Sequence, residues 1–179
     1  MRCEVHVRFC EGLGVQLPRA TRLVVLCRTE AQLQEAFELV QSHLASLGLT
    51  LSAEKTRMIK FREGFTFLGF VISSWSIAMR RKSIEKFKTK VLDLTPRHHN
   101  LDQRVIVKLN RVIRGTANYF ATPYSSVGDC FRRLDRWIRM RLRCMKYKRK
   151  SRADNGRFRL KYFRRMGLLS LSDLRPARV

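Results

Sequence analysis

Five cations recur at helical spacing between residues 132 and 146: Arg132, Arg136, Arg139, Arg143 and Lys146. Steps of three and four residues place them on one face of a helix. Like charges so close repel one another until a polyanion neutralises them, and the planar guanidinium fork suits phosphate oxygens. The chemistry to expect is contact with a nucleic-acid backbone, which positions a partner but carries little sequence information. Arg133, Lys148 and Arg149 extend this set, and the run at 146–152 would hold any polyanion. Lys82, Lys86, Lys90, Arg111 and Arg114 support it from two earlier segments. Tyr147 is placed to stack on a base, whereas Trp137 falls on the apolar face, where packing is its expected role.

Other chemistries find little support. Five cysteines lie apart with no CxxC pair, which argues against a disulfide framework or a zinc ribbon. His98 and His99 are adjacent, with no Cys or Asp cluster to complete a coordination shell, so no metal site is expected. Phosphate-cradling glycine loops and the HExxH pattern are missing from the sequence, and no cofactor is expected. The few acidic residues are scattered, so paired-carboxylate catalysis is poorly supported.

The charge that surrounds the stripe is unevenly distributed. The chain of 179 residues carries a formal net charge of +24. Residues 1–79 hold nine basic and seven acidic side chains, whereas 80–165 hold 27 and six. Two physically different modules therefore meet near Ser73–Arg81: a near-neutral one and a polyanion-binding one. With 45% apolar residues the chain has enough material for a core, so wholesale disorder is excluded. No apolar run approaches the roughly 20 residues of a membrane span, so no membrane partner is expected. Charges at Arg2, Glu4, Arg8 and Glu11 interrupt any apolar leader, which predicts an intracellular, cytoplasmic protein.

The elements that must position these residues can be read from apolar periodicity. Leu23–Cys27 reads as a buried strand. Thr29 with Gln32 forms a capping-box pattern ahead of a helix carrying Leu33, Phe37, Val40, Leu44 and Leu47, and Gly48 stands where it should stop. Met58–Phe61 and Phe65–Ile72 read as two strands of a hairpin turning at Glu63-Gly64. Ser83 is placed to cap a helix reaching Leu94, with Pro96 ending it. A second helix spans Asp102 to Phe120, and Gly115 inside it points to close packing or a bend. A third spans Val127 to Lys148. The expected fold is α+β, a strand, helix and β-hairpin followed by a three-helix bundle.

An ordered series of segments resembles the group II intron-encoded reverse transcriptase/maturase family. It begins at Leu23–Glu30 and continues through Leu47–Arg57 and Phe65–Phe70. Leu109–Phe120, Leu134–Arg139 and, more weakly, Gly167–Leu171 follow. The resemblance implies a partial reverse-transcriptase palm over 23–79 and the thumb, or maturase-specific X domain, over 80–150. A basic tail at 151–179 completes the chain. It further implies that Lys55, Phe67, Leu68 and Gly69 match the palm and primer-grip motif, and that group II intron RNA is the partner.

Departures from the family bear on activity. Where the family carries Tyr-Ala-Asp-Asp, this sequence reads Arg19-Ala20-Thr21-Arg22, and two-metal phosphoryl transfer needs carboxylates there. The resemblance includes neither the fingers, the first half of the palm nor an HNH nuclease. The expectation is an RNA-binding maturase fragment that assists splicing and neither polymerises nor cleaves. An enzyme would need a complementary reverse-transcriptase fragment as partner. Residues 1–22 match nothing in the family. Codons for Arg-Tyr-Ala-Asp can, one frame over, encode Ala-Thr-Arg, as residues 20–22 read. An out-of-frame origin predicts that 1–22 is poorly ordered. Two rival readings are a pseudogene product of a degraded mobile intron and a generic nucleic-acid-binding protein.

Overall fold

A computed structural model of the chain describes residues 5–10, 22–51 and 56–176, with side chains for 24–51 and 56–176. The protein is α+β and divides into two compact units, one of residues 1–65 and 72–75, the other of 66–71 and 76–179.

The first unit is built on a three-stranded antiparallel sheet. Its strands are β1 (Val5–Cys10), β2 (Arg22–Cys27) and β3 (Arg57–Lys60), in the order β2-β1-β3. Val5 pairs with Cys27 on one side and Lys60 on the other. Val5–Cys10 belongs to the segment that matches no family sequence, yet it is the central strand. Helix α1 (Glu30–Ser46) starts at Thr29, whose hydroxyl accepts from the Gln32 amide at 3.2 Å. Gln32 returns a bond to the Arg28 amide, one residue before the cap. The helix ends as expected at Gly48: with φ +72° it lets Gly48 and Leu49 donate to the carbonyls of Ala45 and Leu44, a Schellman closure. Among the described residues of this unit, Cys27 and Leu33 are the buried ones, with Val25, Phe37, Val40 and Leu51 packed around them.

The expected hairpin between 58–61 and 65–72 is corrected. β3 pairs with β1, and 65–72 is interrupted at its centre to give β4 (Phe65–Phe67) and β5 (Phe70–Ile72), which join β6 (Ile77–Met79) in a second sheet. The reason is local. Leu68 and Gly69 both have positive φ, 45° and 84°, the signature of a tight two-residue hairpin turn. A side chain at Gly69 would also meet the Ser83 hydroxyl at 3.0 Å.

The second unit holds three long helices: α2 (Arg81–Leu94), α3 (Gln103–Phe120) and α4 (Gly128–Tyr147). Phe87 and Val91 of α2, Ile106, Leu109, Ile113 and Ala117 of α3, and Phe131, Leu134, Ile138 and Leu142 of α4 share one core. Each fully buried Leu or Ile in such a core contributes on the order of 2 kcal/mol. Asp102 caps α3 by accepting from the Val105 amide at 2.8 Å. Ser83 is not the cap of α2: the helix starts after Arg80, and the Ser83 hydroxyl donates to the Gly69 carbonyl instead. Gly115 is exposed, with open space where a side chain would stand, so close packing does not account for it.

Residues 151–176 are more than a basic tail. Short helices α5 (Asp154–Arg157) and α6 (Leu160–Arg165) precede a segment at 167–172, and Phe158, Phe163 and Leu171 enter the main core. Two polar side chains fix that segment. Asn110 donates to the Gly167 carbonyl at 2.7 Å and accepts from the Leu169 amide at 2.9 Å. Asp135, buried on α4, accepts from the amides of Leu171 and Ser172 and the hydroxyls of Ser170 and Ser172.

Candidate nucleic-acid interface

The amphipathic period of α4 sends its apolar residues to the core and leaves the basic stripe on one side. Arg132 and Arg136 are exposed, and Arg132 pairs with Asp129 one turn earlier. Arg139 is half-buried and makes no hydrogen bond or ion pair among the described residues. Burial lowers its pKa; Asp135 and Asp173 oppose the shift, and Arg136 adds to it.

Further along the stripe the cations are committed to the protein. Arg143 Nε donates to the Phe158 carbonyl at 2.9 Å, and its guanidinium lies over the Phe163 ring. Burial lowers its pKa too, and Arg139 adds to the shift against Asp154 and Tyr147. Lys146 sits over the Phe158 ring at 4.0 Å. Lys148 donates to the His99 carbonyl and to Asn100 Oδ1. Arg149 pairs at 3.2 Å with Asp154, whose side chain is buried. The stripe thus has one half, 132–139, open to solvent at Arg132 and Arg136 and partly so at Arg139, and another half that packs on α5 and α6.

The supporting cations lie on other helices. Lys82, Lys86 and Lys90 are exposed on α2, and Arg111 and Arg114 are exposed on α3. Arg133 is exposed on α4, away from the stripe. Near it burial pushes the Cys130 thiol up, against the pull of Arg133 and Lys88. Trp137 packs against the core with Lys88 Nζ 5.7 Å from its ring centroid, and Tyr147 is half-buried.

The matched palm positions have a structural use. The Leu68 carbonyl accepts from the Tyr119 hydroxyl at 2.7 Å, and the Gly69 carbonyl accepts from the Arg80 amide and Ser83 hydroxyl. Phe67 ends β4 beside that turn. Lys55, like Arg19–Thr21, lies outside the described residues.

Sequence reasoning missed one participant. Arg164 on α6 lines the same cavity as Arg132, Arg136 and Arg139. Its spacing on α6 gives no sign of this, because only the return of the chain after α4 brings it there.

The fold and charge define a basic helical domain with a guanidinium-rich face. Residues 84–163 match the family model described as group II intron, maturase-specific domain. The match supports a group II intron maturase-related role for that segment. Comparison with curated proteins found no match. Among the described residues no helix is long and apolar enough to cross a membrane.

Proposed function

We propose that the chain binds group II intron RNA through the exposed half of the α4 stripe and assists the folding of that RNA for splicing, without polymerising DNA on its own. The supporting cations of α2 and α3 contribute further backbone contacts. The observation that carries this reading is a set of arginines, Arg136 and Arg139 above all, that lack acceptors among the described residues and lie inside a segment matching the maturase-specific domain. Cations left without protein partners are available to phosphates, and each phosphate they neutralise releases counterions.

The test is the salt dependence of binding to a structured intron transcript. Replacing Arg132, Arg136 and Arg139 together by Gln should weaken binding and flatten the slope of log affinity against log salt by about 0.7–0.9 per lost phosphate contact. An unchanged slope would remove α4 from the interface. Deoxynucleotide incorporation by the unaided chain would overturn the non-polymerising part. A decayed mobile-intron product is the second reading, favoured by exposed Leu26, Leu39 and Leu47 in the first unit. Poor solubility together with no effect on splicing would support it.

A further inference from the structure

Beside the α4 stripe lies a cavity of about 410 Å³, within the second unit. That volume falls in the range of small-molecule sites, about 300–1,000 Å³, and a bare phosphate would leave most of it empty. Its walls differ in character. Arg132, Arg136, Arg139 and Arg164 supply guanidinium groups, while Leu160, Phe163, Leu168 and Leu169 supply apolar surface. Phe163 is buried beneath that wall, so the apolar surface open to a ligand is that of Leu160, Leu168 and Leu169. Among the described residues, Arg136, Arg139 and Arg164 make no side-chain hydrogen bond or ion pair. Two carboxylates also line the cavity. Asp135 is occupied by its four hydrogen bonds from 170–172, and Asp173 partly balances Arg139.

We infer that this cavity is a nucleotide pocket: it receives one splayed-out nucleotide of a single-stranded RNA segment, its phosphate on the Arg136, Arg139 and Arg164 guanidiniums and its base against the apolar wall. The inference deepens the RNA-binding reading and rests on it. Three clustered guanidiniums without acceptors among the described residues attract an anion, and the half-buried one loses hydration that a phosphate restores. An apolar wall beside them adds nothing to phosphate binding, but it suits a base removed from its stack. Asn110 and Asp135 keep the wall in place by fixing 167–172.

The full chain is titrated with an oligouridylate, with uridine 5′-monophosphate and with inorganic phosphate, while the backbone amides of 168–172 are followed by NMR. Uridine monophosphate should shift those amides at concentrations where phosphate does not. Arg136→Gln/Arg164→Gln removes two exposed cations that make no hydrogen bond or ion pair among the described residues. It should weaken both nucleotide ligands at least about tenfold, since two of the three phosphate-binding guanidiniums are gone. Arg97→Gln/Arg104→Gln removes the same charge from exposed positions outside the cavity and should cost less than about threefold. Equal losses in the two double variants, or equal shifts by phosphate and nucleotide, overturn the pocket while leaving general RNA binding intact. Failure of the unmodified chain to hold any intron transcript defeats the underlying reading instead.

Discussion

Asp135 and Asn110 sit within the segments that resemble the maturase family, and neither presents itself in the sequence as a functional candidate. A lone Asp among arginines on a predicted helix reads as an ion-pair partner. Its carboxylate instead collects donors from residues 170–172, some 35 positions away. No local pattern announces a partner so distant, and the same holds for Asn110 and residues 167–169. The arginine stripe was legible because its period is local, but which cations are free depended on the return of the chain through Phe158. Asp135→Ala should therefore act as a structural lesion. It leaves two amides and two hydroxyls without their acceptor, at a cost of about 3 kcal/mol. Equilibrium urea unfolding should show that loss. Exchange of the Leu171 and Ser172 amides should accelerate more than that of Ile106 or Leu109, and uniform acceleration would contradict a local anchoring role.

At the scale of elements, the long helices followed from sequence because the apolar period was clear, and for α1 and α3 the caps agreed with it. Thr29, Asp102 and Gly48 stand at the observed boundaries. Strand pairing was less legible. Two short runs around Glu63-Gly64 suit a hairpin, but the order β2-β1-β3 depends on Val5–Cys10, which resembles nothing in the family. The break at Leu68-Gly69 was hidden inside a mostly apolar, β-prone stretch, Phe65–Ile72. Gly115 offers a test at this scale. It lies in α3 at an exposed position with no atom near the place of a missing methyl group. Its φ is not positive, so alanine fits the backbone. Gly115→Ala should stabilise the protein by about 0.5–1 kcal/mol by reducing the entropy lost on helix formation. A rise in the urea midpoint at constant slope would show this; a fall would mean that the exposed surface at 115 has another use.

The whole molecule distributes its core and its charge in the same way. All the residues of the larger buried cluster, from Met79 to Leu171, belong to the second unit, whereas the described residues of the first bury only Cys27 and Leu33. Most of the excess positive charge also falls within 80–165. Stability and RNA affinity should therefore both survive removal of residues 1–65. The fragment 66–179 retains the Leu68-Gly69 turn, whose carbonyls are bonded by Tyr119, Arg80 and Ser83. It should unfold cooperatively, with amide protection at Leu109 and Ile113 matching the full chain. Its RNA affinity should carry the same salt slope, because the cations that release counterions are still present. A fragment with helical content but no cooperative transition would mean that the first unit completes the core. A folded fragment with a shallower slope would assign part of the RNA contact to residues 1–65, where basic and acidic side chains nearly balance and little electrostatic attraction is expected.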